Sequence, residues 1–287
     1  VDTLRAAAVA WRIRQLRSVD GFLAHMAELL DLCDGADLVV MPENIGLELL
    51  SLCPEAAPWE SGQATCSLLK DRWAEFGALA AEYRCTLVAG TYLVPCGDHW
   101  VNSALVAFPD GRFTLDVPKV VLTQYEAEEW GVVPGSGLRE LPDPRIGVTV
   151  CYDCEFPESG RRLAEAGVLV QCVPAFTETR RGFQRVRWCC LARSVENQVF
   201  VVHSSLVGSL GREPVPSAVG SSAVIAPSVE PFPEQAVLAE TPWNAEGAAV
   251  AELDFAELHR GRESGDVRNW NDRGKSSWPL TSCSLLP

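Results

Sequence analysis

Histidine is scarce in this chain: His25, His99, His203 and His259 are the only four among 287 residues. A nucleophile activated by imidazole, or a histidine-rich metal site, therefore has few residues to draw on. There is no HExxH segment, no glycine-rich phosphate loop and no second CxxC. The usual sequence signs of zinc hydrolases, nucleotide loops and four-cysteine zinc sites are thus missing, and no metal or organic cofactor is expected. Basic residues are also short, 24 Lys and Arg against 38 Asp and Glu, for a formal net charge of −14. That sign argues against nucleic acid and against anionic membrane surfaces as partners. No apolar run approaches the ~20 residues of a membrane span. The N-terminal stretch VDTLRAAAVAWRIRQL carries charges through its apolar run, which makes it a poor signal peptide.

What is present is the composition of a packed globular chain, 47% hydrophobic and 22% charged, able to bury a large core without staples. Eleven cysteines, an odd number, are scattered and several lie inside apolar runs. That is reduced, cytoplasmic usage rather than a disulfide framework. No repeat or low-complexity segment divides the chain, so residues 1–287 read as one domain with a tail from about 265 that carries Trp270 and Trp278.

Apolar spacing predicts strands over 5–10, 37–41, 85–93, 168–173, 199–204, 218–226 and 248–253. A hairpin of 100–108 with 113–118 turns at Pro109-Asp110-Gly111-Arg112. Helices are predicted over 18–33, 65–84, 157–166, 182–198 and 255–262, with Ser18 as a cap and Gly167 as a stop. Segments 119–137 and 227–242 read as loops. Strands and helices alternate, but hairpins interrupt them. The fold class is α/β, with mixed sheets covered by helices rather than a purely parallel barrel.

The chain is organised around RIGVTVCYDCEFPE, 145–158. The β-branched run 146–150 reads as a buried strand, and Pro157 suits the first turn of a helix. Cys151 thus sits on a strand-to-helix turn, where a side chain leaves the sheet beside free backbone N–H groups. A buried structural cysteine is the alternative. Glu43 and Lys119 also directly follow apolar strands, the first in Met41-Pro42-Glu43-Asn44 and the second in Pro118-Lys119. If those strands are neighbours, the three side chains converge. A cysteine attacks as thiolate and needs a base. His203, at a strand end, is the one histidine suited to that part, but a packed histidine is the plainer reading. A buried glutamate has a raised pKa and can move a proton near neutrality, so Glu43 is the better candidate. Lys119 and the backbone N–H of Tyr152 would then stabilise an oxyanion. Taken singly, Glu43 and Lys119 also read as ordinary strand-end charges.

MPEN at 41–44, the Pro118-Lys119 pair and CYDCEFPE at 151–158 resemble the nitrilase superfamily of carbon–nitrogen hydrolases. So do ARSVENQVFVV at 192–202 and GSSAVIAP at 220–227. The resemblance implies a four-layer α-β-β-α sandwich with two mixed sheets, commonly paired into a homodimer or higher homo-oligomer. It implies Glu43 as base, Lys119 as oxyanion stabiliser and Cys151 as nucleophile. It also implies a second glutamate near the lysine, matched best by Glu126, with Glu128 and Glu129 as neighbours. The implied reaction is cofactor-free hydrolysis of a small aliphatic or ω-amide through a thioester. A nitrile or an N-carbamoyl amine is the alternative substrate. Asn44, Tyr125, Tyr152, Glu155, Phe176 and Thr177 are expected to line the pocket.

Two further features stand apart. Cys151 and Cys154 form a CxxC, which as a redox motif would be a rival to hydrolysis, as would a non-catalytic binding protein, though all three triad residues are present. Arg180, Arg181, Arg185 and Arg187 cluster around the start of the helix at 182–198. One of them, Arg180 first, would clamp a substrate carboxylate, against the simpler reading of surface or subunit ion pairing.

Overall fold

The computed structural model describes residues 2–274. Among them the chain forms β1 (Thr3–Arg12), α1 (Val19–Asp31), β2 (Leu38–Val40), α2 (Ser61–Leu69), α3 (Trp73–Tyr83), β3 (Thr86–Cys96), β4 (His99–Ala107) and β5 (Phe113–Thr114). There follow α4 (Gln124–Glu129), β6 (Ile146–Val148), α5 (Pro157–Glu165), β7 (Val170–Ala175), α6 (Arg180–Asn197), β8 (Phe200–Val207) and β9 (Ala223–Ile225). The last elements are β10 (Val237–Glu240), β11 (Gly247–Asp254), α7 (Phe255–Ser264) and α8 (Asn269–Asp272).

The strands make two mixed sheets. In the first, β11 runs antiparallel to β1, β1, β2 and β3 are parallel, and β4 and β5 follow as antiparallel hairpin strands. In the second, β6, β7 and β8 are parallel and β9 and β10 are antiparallel. The two join where the ends of β1 and β8 pair, Trp11 with Leu206 and Arg12 with Val207.

Side-chain alternation along β1 explains the layering. Leu4, Ala6 and Ala8 enter one core with Val40, Val106, Val148 and Cys172, strands of both sheets. Ala7, Val9 and Trp11 enter the other, with Phe22, Met26 and Leu29 of α1 and Phe76 of α3. Every residue of β7 and β8 is buried, as a sheet covered on both faces requires. Val186 and Cys190 of α6 close its outer side.

Several elements differ from the spacing. The helix expected over 65–84 is two, α2 and α3, broken at 70–72. The break lets Trp73 and Phe76 reach Tyr92 on β3, at ring distances of 5.3 and 5.5 Å. The loop 119–137 holds α4, and the loop 227–242 holds β10, which covers the edge of β9. Residues Ile45–Leu52 form a 3₁₀ helix that the apolar pattern did not single out. The strand expected over 218–226 is regular only at Ala223–Ile225. The second hairpin strand is regular only at Phe113–Thr114 and resumes one residue out of step, Pro118 opposite Ser103. Ser103 Oγ bridges that bulge, donating to Leu115 O and accepting from Val117 N at 3.1 Å. Trp270 packs against the core under the guanidinium of Arg262, 4.4 Å from its ring. Trp278 lies outside the described residues.

Candidate active site

Three strand ends and one short helix deliver the site. Met41 N still donates to Val88 O at 2.8 Å, but Pro42 ends the β2 ladder. Asn44 then turns into the left-handed region, φ 55°, with its N–H on Thr91 Oγ1 at 2.9 Å. Glu43, between them, is 1% exposed. The backbone of Lys119 is held from two sides, its N–H on Asn102 O and its carbonyl accepting from Gly135 N, both at 2.8 Å. A Cβ at Gly135 would lie 2.5 Å from Pro118 and 2.9 Å from Lys119 O, so only glycine lets the two segments approach.

Cys151 follows β6 at φ 47°, a positive value that a non-glycine residue holds only when its surroundings impose it. Asp153, 1% exposed, is part of what imposes it. Its carboxylate accepts from Val150 N at 3.2 Å, and across the site from Val120 N at 3.1 Å and Val121 N at 2.7 Å. One acid thereby ties the cysteine turn to the segment just after the lysine.

The four chemical side chains are brought together. Lys119 Nζ donates to Glu43 Oε1 at 2.8 Å and to Glu126 Oε2 at 2.6 Å. The Asn102 amide donates to both carboxylates, Glu43 Oε1 and Glu126 Oε1, each at 2.9 Å. Phe176 N donates to Glu43 Oε2 at 3.0 Å. Glu126 is fixed a second time by the cap of α4, accepting from Thr123 N and Thr123 Oγ1 at 2.9 Å. The Cys151 thiol donates to Phe176 O at 3.6 Å and feels the charge of Glu43.

Burial works against charge on Lys119, but Glu43 and Glu126 outweigh it and hold the ammonium charged well above its ordinary range. Glu126 is also buried, yet the lysine keeps its carboxyl below the usual value. Burial raises the pKa of Glu43, more than the lysine lowers it. Burial, then the Glu43 charge, push the Cys151 thiol well up. The resting site thus has a charged lysine, an ionised Glu126, a Glu43 whose pKa is raised by burial, and a thiol that is hard to ionise unaided.

These groups open into a cavity of about 480 Å³. All six expected pocket residues, Asn44, Tyr125, Tyr152, Glu155, Phe176 and Thr177, line it. Glu128 and Glu129 point elsewhere and are exposed. Of the arginines, Arg185 alone is in the wall, 3.6 Å from Glu155. Arg180 lies over the Trp243 ring at 5.4 Å. Arg187 is buried on Glu240 and donates to His203 Nδ1 at 3.2 Å. His203 is fully buried away from the cavity, its pKa pulled well down by burial and then by Arg187. Cys154 faces Cys190, sulfur to sulfur 3.7 Å, rather than Cys151.

Asn102 and Asp153 escaped the sequence reading. A lone amide in the apolar strand WVNSALVA and an acid two residues past the cysteine were the available signals. The wall residues Trp130, Glu178 and Glu213 carried none.

The fold and this cluster define a class. The carbon-nitrogen hydrolase family model matches residues 5–263, and the chain belongs to that family. Among curated relatives, the Bacillus subtilis "Probable hydrolase YhcX" is 30% identical over 282 residues. The match covers 96% of this chain but 55% of that protein, so this chain spans about half its length. The 2-oxoglutaramate amidase of Bacillus subtilis is 30% identical over 233 residues, covering 80% of this chain and 82% of the relative. The carbon-nitrogen hydrolase of Helicobacter pylori G27 shares the fold, with a TM-score of 0.71 at 19% identity over 91% of this chain and 92% of that one.

Proposed function

We propose that this chain hydrolyses a non-peptide carbon–nitrogen bond in a small amide through a thioester on Cys151. The observation that carries this reading is Lys119 held between Glu43 and Glu126 at 2.8 and 2.6 Å, in the same cavity as Cys151. Relatives named as amidases support it, the 2-oxoglutaramate amidase among them.

Glu43 takes the thiol proton as sulfur attacks the amide carbonyl carbon, so a free thiolate need not accumulate despite the raised thiol pKa. The oxyanion that forms meets the Lys119 ammonium and the Tyr152 backbone N–H. Glu126 and Asn102 hold that ammonium in place. The carbon–nitrogen bond then breaks, and Glu43 returns its proton to the departing nitrogen, which leaves as ammonia. Water gives a proton to Glu43 and attacks the thioester. The carbon–sulfur bond breaks, the sulfur recovers its proton from Glu43, and the acid departs.

The cavity volume suits one small molecule. Trp188, 62% exposed on α6, supports pairing of two copies through the α5 and α6 face. The free cysteines among the described residues support a reducing, cytoplasmic setting. No helix among those residues is long and apolar enough to cross a membrane.

The test is intact-mass spectrometry of the enzyme mixed briefly with an amide, a nitrile and an N-carbamoyl amine, alongside ammonia release. The expected result is an acyl adduct on Cys151 from the amide, lost with ammonia release in Cys151→Ala. Undiminished ammonia release by Cys151→Ala would overturn the reading.

A further inference from the structure

One side-chain hydrogen bond joins two walls of the cavity. The Tyr125 hydroxyl donates to Glu213 Oε2 at 3.0 Å. The two residues stand 88 positions apart in the chain, and both line the cavity. Burial, and then the bond to Glu213, raise the pKa of the Tyr125 hydroxyl, so it keeps the proton it donates. Tyr125 is 38% exposed, which places the bond on the solvent side of the cavity, whereas Glu43, Lys119 and Cys151 are buried.

Each end of this bond is carried by a segment that is itself held. Tyr125 is on α4, one residue before Glu126, which Lys119 and the Thr123 cap fix. Trp130, itself buried, backs the tyrosine ring edge-on at 5.5 Å. Glu213 lies between β8 and β9, in a segment closed at its base by Gly208 N on Ala218 O at 2.9 Å and Ala218 N on Gly208 O at 2.7 Å. Next to it, the Arg212 guanidinium donates to the carbonyls of Leu50, Cys53 and Ala56 at 2.9, 3.0 and 2.9 Å. Arg212 thereby fastens the segment to the end of the 3₁₀ helix that follows Glu43. A solvent-facing hydrogen bond ordinarily adds little, because ordering its partners offsets most of it. Here both partners are ordered beforehand.

We propose that the Tyr125–Glu213 hydrogen bond is a bar across the cavity mouth that restricts the amide substrate to short acyl chains. This rests on the hydrolase reading and names its substrate class. A short acyl chain, with its carbonyl at Cys151, fits beneath the bar. A longer one protrudes and keeps the bond broken for as long as it is bound. The longer amide is disfavoured by the free energy of that bond, so the discrimination acts against the larger substrate rather than toward the smaller.

The test is ammonia release by the full chain from propionamide and hexanamide, read as the ratio of kcat/KM for the longer amide to that for the shorter. In the unaltered enzyme the ratio should lie below one. Tyr125→Phe removes the hydroxyl and keeps the ring, and should raise the ratio by about fivefold. Glu213→Ala should raise it at least as far, since bulk is lost as well. Adding Tyr125→Phe to Glu213→Ala should raise it no further, because the bond is already gone. Glu213→Gln should keep the original ratio, because its amide oxygen accepts from the same hydroxyl. A ratio of one or more in the unaltered enzyme would overturn this inference and leave the hydrolase reading standing. So would a ratio unmoved by Tyr125→Phe, an equal rise when it is added to Glu213→Ala, or a Glu213→Gln enzyme that behaves as Glu213→Ala does. No ammonia from either amide, with no acyl adduct on Cys151, would overturn the hydrolase reading and this inference with it.

Discussion

Asp153 reaches across from the turn that carries Cys151 to accept a 2.7 Å hydrogen bond from the backbone of Val121, two residues past Lys119. The two segments meet through that carboxylate, so it sets the spacing between sulfur and ammonium. Asp153→Ala would strand the N–H groups of Val120, Val121 and Val150. The expected loss is about 3 kcal/mol of stability. Asp153→Asn keeps the shape but turns one acceptor into a donor facing N–H groups. It should lower kcat by about tenfold or more while moving KM little. Urea denaturation and steady-state kinetics on both variants check this. A wild-type kcat in Asp153→Asn would remove the positioning role.

Lys119→Met removes the one cation between two buried carboxylates. Breaking a buried pair from one side costs about 3–5 kcal/mol, because the partner charge stays behind. Here two partners stay behind. One of them takes a proton, and Glu43, whose pKa is already raised, is the one expected to do so. Glu126→Gln in the Lys119→Met background should therefore recover part of the lost stability, read as a rise in Tm.

With Glu43 as the proposed base, its raised pKa should set the acid limb of the rate profile. Glu43 works as a base only when ionised, so kcat/KM should fall as the pH drops through a value above the ordinary glutamate range. Asn102→Leu removes an amide that donates to the ionised carboxylate and should move that limb to still higher pH. A limb that stays in place in Asn102→Leu would exclude Glu43 as the group it reports.

A second charged cluster, His25 with Glu246, Glu48 and Arg14, should contribute a pH-dependent part of the stability. His25 is buried, which lowers its pKa, but its hydrogen bond to the Glu246 carboxylate and the nearby Glu48 carboxylate outweigh this and raise it. Glu246 is partly buried, which raises its pKa, but His25 and Arg14 pull it down to about 2. For Glu246 the folded value lies below the unfolded one. Its contribution is present above the ordinary carboxylate range and is lost as the pH falls toward about 2. For His25 the folded value lies above the unfolded one. Its contribution is complete below the ordinary imidazole value and is lost as the pH rises through the folded value. Tm should peak on the acid side of neutrality, and His25→Gln should flatten the alkaline fall. An unchanged alkaline slope in His25→Gln would assign that fall elsewhere.

The parts legible from the chain were those written in local pattern. Proline after an apolar run marked where Glu43 leaves its strand, and β-branched residues before Cys151 marked the other. The alternation of strands and helices was enough for mixed sheets with helical cover. What stayed hidden depends on distance along the chain. Asn102 meets Glu43 across 59 residues, and Glu178 and Glu213 share one cavity only because separate loops converge. The split between α2 and α3 was hidden because Tyr92, the partner that rewards it, lies on another element. The 3₁₀ helix at Ile45–Leu52 and the short β10 have too few residues for a period to show.

The extra residue bridged by Ser103 has a consequence for chemistry. Before it, Val106 faces Thr114; after it, Ser103 faces Pro118 and Asn102 therefore lies beside Lys119. Without that insertion the strand would advance by one, and proline would stand where the ammonium does now. Strand neighbours point to opposite sides, so a single-position slip carries the cation to the wrong face of the sheet. One serine hydroxyl, remote from any substrate, thus keeps count for the lysine.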